Sequence, residues 1–234
     1  MIFRQFHASD GQLSYLFADS VTRNTAILDP HLGLEHDYID LIEHLDLKLE
    51  FVIETHAHES HFSAAPLLCE ATGAYWFMSH MIADAVGARP LENGESVFMG
   101  EEYFDVLETP GHSACSLCFR WRDRVFTGHT LLVDRAGDCN RPDADADKLY
   151  NSITRCLYKL PRETMVFPGI GSAGRRESTI GFELENNHDL NTHTDREIFV
   201  ALKRRAGALP ERMQQTGIYH PTTDLYPHKT ISKR

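Results

Sequence analysis

Histidine side chains recur in three short segments, each of which follows a predicted strand. The segment THAHESH contains His56, His58 and His61 directly after the apolar run LEFVIE. His112 follows the strand YFDVLE, and His129 follows the strand RVFTG. Loops at strand ends are where proteins build sites on a rigid scaffold, and imidazole is the commonest metal ligand. The pattern predicts a metal site whose borderline-soft nitrogens suit zinc, iron, copper or nickel.

The size and charge of the chain exclude several classes of protein. The chain has 234 residues, enough for one large domain or two small ones, and its five cysteines are an odd number, which argues against a disulfide framework. A net charge of -11 at pH 7 disfavours nucleic acid and anionic membranes, which bind basic surfaces. No apolar run reaches the roughly 18 residues of a membrane helix. We therefore expect a cytoplasmic, reduced protein that binds neither nucleic acid nor a membrane.

Hydrophobic patterning predicts both strands and helices. Runs of β-branched and aromatic residues predict strands, and apolar residues at helical spacing predict helices. The predicted strands are residues 13–19, 24–30, 49–56, 74–78, 95–100, 102–110, 116–121, 124–128 and 164–169. The predicted helices are residues 36–45, 60–73, 81–87, 145–160 and 195–207.

The order of these elements indicates an α/β protein. Strands come first, then strands that alternate with helices, and the same order follows again along the chain. We predict an αββα sandwich, in which two mixed β-sheets pack face to face with helices outside. The predicted organisation is one domain over residues 1–210 and a C-terminal arm over residues 211–234, which is rich in proline and polar residues.

The three histidine segments resemble the metal-binding loops of the metallo-β-lactamase fold. THAHESH resembles the T-H-x-H-x-D-H signature of that fold, and TPGHS and FTGHTLL resemble its next two metal-binding loops in order and spacing. The stretches ILDP, LYNSI, LPRETMVFPG and STIGFELENN resemble the persulfide dioxygenases, a branch near glyoxalase II. The resemblance covers about residues 1–210 and implies this fold together with a metal-dependent activity.

The resemblance also implies which residues hold the metal. Persulfide dioxygenases hold one iron with two histidines and one aspartate. The matching positions are His56, His112 and His129, and His129 stands in place of the aspartate. One metal ion per chain is therefore expected. Fe(II) is favoured, and zinc is the alternative, because three histidines with an open position also resemble the zinc site of carbonic anhydrase.

The second metal site of the two-metal hydrolases of this fold is incomplete in this chain. The aspartate of the signature is replaced by Ser60, and the last histidine of that site is replaced by Ile170. A neutral serine is a poor ligand and isoleucine cannot bind a metal, so only His61 and His129 remain. We predict that the chain holds no dinuclear centre.

Other residues near these histidines are candidates for supporting roles. His58 is either a fourth ligand or a group that hydrogen-bonds beside the metal. His58 and His61 are the candidate catalytic residues, which would hold or relay a proton. Asp29 or Glu59 is expected to orient a ligating imidazole, because metal-bound histidines usually donate their other ring N–H to an acceptor such as a carboxylate.

One departure from the family concerns the substrate. After TLL the family shows an arginine that helps to bind glutathione, and the matching residue here is Asp138. An aspartate repels a carboxylate-rich ligand, which disfavours glutathione persulfide unless Arg135 or Arg141 compensates through a shifted loop. Cys139 is the candidate substrate-binding residue, and an idle buried thiol is its alternative interpretation.

Three functional hypotheses follow from these residues. The first is a mononuclear metal-dependent oxygenase that acts with O₂ on a thiol or persulfide, so that a small sulfur compound is the partner. The second is a zinc hydrolase of thioesters, similar to glyoxalase II, in which the metal lowers the pKa of bound water. The third is a diverged, non-catalytic metal-binding relative, because fold resemblance alone does not carry function. The resemblance further implies a homodimer.

Overall fold

The described part of the chain contains strands and helices in mixed order. The structure, a computed structural model, describes residues 1–58, 63–172 and 174–207. The strands are β1 Ile2–His7, β2 Leu13–Ala18, β3 Asn24–Leu28, β4 Lys48–Ile53, β5 Tyr75–Ser79, β6 Arg89–Leu91, β7 Ser96–Met99, β8 Glu102–Glu108, β9 Leu117–Trp121, β10 Arg124–Gly128, β11 Leu131–Leu132, β12 Arg135–Ala136, β13 Met165–Pro168 and β14 Ser178–Thr179. The helices are α1 Glu35–His44, α2 Ala65–Thr72, α3 Ala83–Val86, α4 Ala146–Asn151, α5 Ile180–Asn186 and α6 Arg196–Gly207, and α4 continues as a π-helix over Ser152–Cys156 and a 3₁₀-helix over Leu157–Lys159.

The strands form two six-stranded sheets and one small hairpin. The first sheet has the order β1-β2-β3-β4-β5-β6, in which β1 to β3 are antiparallel and β3 to β6 are parallel. The second sheet has the order β14-β13-β10-β9-β8-β7 and is antiparallel except for the pair β10 and β13. Strands β11 and β12 form the hairpin. Both large sheets are mixed, as the sequence predicts.

Three hydrophobic clusters show how the layers pack. The first lies between the two sheets and receives side chains from strands of both. The second lies between the outer face of the second sheet and helices α4, α5 and α6. The third lies between the outer face of the first sheet and helices α1 and α2. The predicted αββα sandwich is therefore confirmed.

Strand β2 shows why these sequences form central strands. All six of its residues are buried, because one face of the strand packs against the second sheet and the other against the helices. Leu13, Tyr15 and Phe17 belong to the cluster between the sheets, whereas Leu16 and Ala18 belong to the cluster under α1 and α2. This division follows the two-residue period of a strand. A continuous apolar run is therefore a central strand with both faces covered.

Aromatic rings fill the space between the sheets around Phe17. The centroid of its ring lies 4.7 Å from that of Phe126 and 5.0 Å from that of Phe104. The ring of Trp121 lies 5.2 Å away at an angle of 77°. These edge-to-face contacts add to the stabilisation that comes from burial. Phe17 thus joins the two sheets on which the histidine loops are built.

The sequence pattern predicts neither edge strand of the first sheet, nor helix α5. Strand β1 is only half-buried or exposed along its length, and β6 has three residues that include Pro90. Helix α5 has seven residues and begins after Thr179, whose hydroxyl accepts a hydrogen bond from the Phe182 N–H at 3.1 Å. Such short or edge elements carry a weak periodic signal, because their neighbours in space stabilise them.

The start of helix α2 was predicted too early. The helix begins at Ala65 and has Pro66 in its first turn, as proline requires, while Ser63 and Ala64 are not helical. Residues 60–62 and the predicted arm over 211–234 lie outside the described residues. Among the described helices, none is both long and apolar enough to cross a membrane.

Truncation of the ring between the sheets should destabilise the protein strongly. Phe17→Ala removes a side chain that is 1% exposed, and we expect the free energy of unfolding to fall by about 3–5 kcal/mol. Phe98→Ala removes the same ring where it is 67% exposed and should change the free energy by less than about 0.5 kcal/mol. Urea unfolding measures both, and equal losses would contradict the packing described here.

Candidate metal centre

The loops that follow β4, β8 and β10 meet at one end of the sandwich. Strand β4 belongs to the first sheet, whereas β8 and β10 belong to the second. The N–H of Leu117 donates to the carbonyl of Thr55 at 2.7 Å, which joins the start of β9 to the loop after β4. The N–H of Gly169 donates to the carbonyl of Gly128, also at 2.7 Å. These bonds hold the loops of both sheets together.

Three of the histidines predicted from the sequence converge here. One ligand atom from each of His56, His112 and His129 lies within 4.8 Å of the other two. The ring centroid of His56 is 4.7 Å from that of His129 and 5.1 Å from that of His112. His56 and His112 are buried, and His129 is partly exposed. The arrangement brings together the three side chains that were predicted as metal ligands, while metal binding itself stays a prediction.

A chain of hydrogen bonds orients His56. The Thr55 hydroxyl donates its single hydrogen to Oδ2 of Asp29 at 2.9 Å. The same oxygen lies 2.9 Å from Nδ1 of His56 and can only accept there, so Nδ1 carries the ring proton. The lone pair of His56 is therefore on Nε2. Asp29 is therefore linked to His56 through Thr55, and its role in orienting a metal ligand stays a prediction.

Each of the other two rings also has one nitrogen engaged by a neighbour. Nδ1 of His112 lies 3.0 Å from the backbone carbonyl oxygen of Asp138. Nε2 of His129 lies 3.2 Å from Oε1 of Gln12. Hydrogen bonds of this kind are the usual support of metal-binding histidines, because they fix the ring and its tautomer.

Two of the three rings are held neutral. Burial, reinforced by the neighbouring histidines, keeps the pKa of His56 and of His129 well below 6.5. A neutral imidazole offers the lone pair that a metal ion requires. Three imidazoles, each with one ring nitrogen engaged by a neighbour and the other available as a donor, fit a borderline metal ion such as Fe(II) or Zn(II).

His58 lies beside this group but turns toward Asp29. Its ring centroid is 4.3 Å from that of His56, and its Nε2 is 3.2 Å from Oδ1 of Asp29. Burial opposes protonation of His58, but the hydrogen bond and charge of Asp29 outweigh burial and raise the pKa of His58. Of its two considered roles, the geometry favours a group beside the metal over a fourth ligand.

Three residues at the site are not predicted from the sequence. Thr55 belongs to the quoted signature, but only the structure shows that its hydroxyl links Asp29 to His56. Gln12 is 117 positions from His129 in the chain, so no local pattern connects them. Glu54 is 2% exposed, and burial raises its pKa to about 7. It resembled an ordinary strand residue, because the sequence does not show how deeply a carboxylate is buried.

Among the remaining candidate residues, the structure describes Cys139 but not Glu59 or His61. Glu59 and His61, and likewise Ser60, lie outside the described residues. Cys139 packs at the margin of the cluster beneath α4, and its Sγ is 3.8 Å from the carbonyl oxygen of Gly111. Burial raises the pKa of this thiol to about 11, so it carries its proton at neutral pH. Its role as a substrate-binding residue stays a prediction.

Two charged side chains lie next to the three rings. The hydrogen bond with His112 holds the pKa of Asp138 below its usual value. Arg141 is 10% exposed, and its Nη1 donates to the carbonyl of Ala57 at 2.8 Å. The positive charge of Arg141 also contributes to the lowered pKa of His56. The Nε of Arg141 also donates to Oδ1 of Asp143 at 3.1 Å, and compensation of Asp138 by Arg141 stays a prediction.

Comparisons with known proteins identify the family. The chain belongs to the metallo-β-lactamase superfamily, whose family model matches residues 10–169. Its structure is similar to that of ETHE1 from Myxococcus xanthus, with a TM-score of 0.85 and 36% sequence identity over 90% of this chain and 92% of that one. The predicted family is therefore confirmed.

Two curated relatives differ in their activities. Persulfide dioxygenase ETHE1, mitochondrial, of Bos taurus is 24% identical over 182 residues, which cover 77% of this chain and 72% of that protein. "Probable polyketide biosynthesis zinc-dependent hydrolase BaeB" of Bacillus velezensis is 25% identical over 222 residues, or 93% of this chain and 95% of that protein. Membership of the superfamily thus supports a metal-dependent activity but does not identify the reaction.

Loss of the Thr55 hydroxyl should weaken metal binding. Thr55→Val keeps the shape of the side chain but breaks the hydrogen bonds to Asp29 and His56. We expect zinc affinity, measured by competition with a chelator, to fall about 10- to 100-fold. Thr55→Ser keeps the hydroxyl and should bind zinc within about threefold of the wild type. Equal affinities for the valine and serine variants would argue against this hydrogen-bond chain.

Acid should destabilise the metal-free protein through His56. Its pKa is lowered in the folded state, so below pH 6.5 the unfolded chain binds more protons, and the free energy of unfolding falls as the pH drops. This group contributes at most about 1.4 kcal/mol per pH unit. Urea unfolding from pH 7 to 5 should show a smaller loss for His56→Asn than for the wild type. Parallel losses would mean that the buried ring is not held neutral.

Proposed function

We propose that the protein is a mononuclear Fe(II)-dependent oxygenase that acts with O₂ on a thiol or persulfide. The observation that carries the proposal is the convergence of His56, His112 and His129, with one ring nitrogen of each engaged by a neighbour. Three protein donors leave positions open on a metal ion. A bound Fe(II) would supply those positions for a sulfur atom and for oxygen chemistry.

The comparisons support the oxygenase over other members of the superfamily. The similarity to ETHE1 of Myxococcus xanthus extends over nine-tenths of both chains at 36% identity. The Bos taurus relative named as a persulfide dioxygenase matches at 24% identity. Ile170, in place of a second-site histidine, cannot bind a second metal. These points favour a single-metal centre related to that of the persulfide dioxygenases.

The residues around the three ligands have roles in this reaction. Arg141 would attract the anionic form of a thiol or persulfide, because its guanidinium binds the carbonyl of Ala57, between His56 and His58, and its charge acts on His56. His58 would hold a proton between its Nε2 and Asp29, since its raised pKa favours the charged ring. The buried rings would keep bulk water away from the reacting sulfur.

The proposed reactions balance with O₂ as the only oxidant. A thiol R–SH and one O₂ give the sulfinic acid R–SO₂H. A persulfide R–S–SH with one O₂ and one water gives the thiol R–SH and sulfite, written as H₂SO₃. In both cases the four electrons that reduce O₂ come from one sulfur atom. No other reductant is needed.

A zinc hydrolase is the second candidate function. It is favoured by the similarity to BaeB of Bacillus velezensis, which extends over 93% of this chain. Three neutral imidazoles are also a common zinc site, in which the metal lowers the pKa of a bound water. Thioester cleavage by the zinc-loaded protein, at a rate well above that in water, would support this alternative.

Metal content and oxygen uptake test the proposal together. Protein purified without oxygen and without added metal should contain about one iron per chain and no second metal. It should consume O₂ with a persulfide or a thiol in the ratios given above. His112→Ala should lose the metal and at least about 100-fold of the activity. Fully iron-loaded protein that consumes no O₂ with any thiol or persulfide would refute the oxygenase.

A further inference from the structure

We propose that Gln12 is a positioning residue that makes His129 bind the metal through Nδ1, while His56 and His112 bind through Nε2. The inference rests on the proposed metal site but not on the oxygenase reaction. It assigns to Gln12 a role that no sequence pattern indicates. The three-histidine site would therefore contain two kinds of imidazole ligand.

Two of the rings carry their proton on Nδ1 and present Nε2 to the metal site. Nδ1 of His56 must donate to the Thr55 hydroxyl, because that hydroxyl gives its only hydrogen to Asp29. Nδ1 of His112 must donate to the carbonyl of Asp138, because a carbonyl oxygen only accepts. With the proton on Nδ1, each ring would bind a metal through the lone pair on Nε2.

His129 has the opposite arrangement. Its Nε2 lies 3.2 Å from the amide oxygen of Gln12, and an amide oxygen only accepts. Nε2 therefore carries the proton, and the lone pair that a metal needs is on Nδ1. Since Nδ1 is separated from Nε2 by one ring carbon, the nitrogen that serves as the ligand is directed away from Gln12.

Gly169 supports the same orientation from the side of strand β13. A Cβ atom at Gly169 would lie 2.8 Å from Cδ2 of His129, so the backbone there contacts the Cδ2 edge of the ring. Cδ2 is bonded to Nε2, and Nδ1 lies on the other edge. The N–H of Leu13, the neighbour of Gln12, donates to the carbonyl of Gly169 at 2.9 Å. Gln12 and Gly169 therefore form one wall against the same edge of the ring.

Binding through Nδ1 also explains how a histidine can occupy this position. Nδ1 is two bonds from Cβ, as is a carboxylate oxygen of aspartate, whereas Nε2 is three bonds away. A histidine that binds through Nδ1 therefore has its metal-binding atom as many bonds from Cβ as the carboxylate oxygen of an aspartate. The loop after β10 can then carry His129 in place of an aspartate without a shift of the backbone. Nε2 lies one bond farther from Cβ, and its N–H donates to the amide oxygen of Gln12.

The ring nitrogens of the zinc-loaded, full-length protein provide the direct test. In long-range ¹H–¹⁵N correlation spectra, Nε2 couples strongly to both ring protons, whereas Nδ1 couples strongly only to that on Cε1. We expect the zinc-bound nitrogen of His129 to show the Nδ1 pattern and those of His56 and His112 to show the Nε2 pattern. An Nε2 pattern for the zinc-bound nitrogen of His129 would overturn the proposal.

Substitution of Gln12 tests its positioning role independently. Gln12→Leu removes the acceptor and should weaken zinc binding, measured with a competing chelator, by about 10- to 100-fold. Gln12→Glu keeps an acceptor at the same reach and should retain both the affinity and the Nδ1 pattern. Gln5→Leu is the matched control, because Gln5 bonds to Tyr15 and Arg176 and touches none of the three rings.

The outcomes separate this inference from the proposed function. If Gln12→Leu folds and binds zinc within about twofold of the wild type, Gln12 has no positioning role. If His129→Ala also binds zinc as tightly as the wild type, the proposed metal site itself is wrong. Protein that shows the expected zinc spectra but no oxygen uptake when loaded with iron would refute only the oxygenase.

Discussion

The candidate metal centre depends on the buried carboxylate of Asp29. It accepts hydrogen bonds from the backbone N–H and hydroxyl of Thr55, and its Oδ1 lies 3.2 Å from Nε2 of His58. A buried carboxylate is costly without such donors, and here they come from the loop that carries His56. Folding of this loop into its site conformation therefore offsets the cost of burying Asp29. Asp29, which directly follows strand β3, is in this way coupled to the orientation of His56, the first predicted ligand.

A second requirement is that loops from two sheets approach one another closely. Gly128 has a φ of +48°, and a Cβ atom there would lie 2.4 Å from Oγ1 of Thr55. Only glycine combines this left-handed backbone with such a close approach. The turn that presents His129 can therefore pack directly on the residue that orients His56. The predicted metal would lie at the seam of the sandwich, where each sheet supplies part of its ligands.

The charge of the ligand set connects this geometry to chemistry. Imidazole ligands bring no negative charge, so they would leave a divalent metal with its full positive charge, while Asp138 and Arg141 place one charge of each sign beside the rings. Under the proposed function such a metal would attract anionic sulfur, whereas zinc on the same ligands would suit hydrolysis. We propose that the identity of the bound metal, rather than the fold, would decide between these two activities. The pair formed by His58 and Asp29 places a proton beside either centre.

The sequence by itself determined the layered architecture and the three predicted ligands. Apolar runs identify the buried strands, and His56, His112 and His129 each follow such a run. The choice of these three as predicted ligands also depends on the resemblance of their loops to the metallo-β-lactamase signature. Only the tertiary structure decided which nitrogen of each ring has the lone pair. That choice depends on Thr55 next in the chain and on Gln12, which is 117 positions away from its ring. The edge strands and helix α5 also required the structure. Hydrogen-bond partners and covering layers are set by contacts distant in sequence, which no local periodicity records.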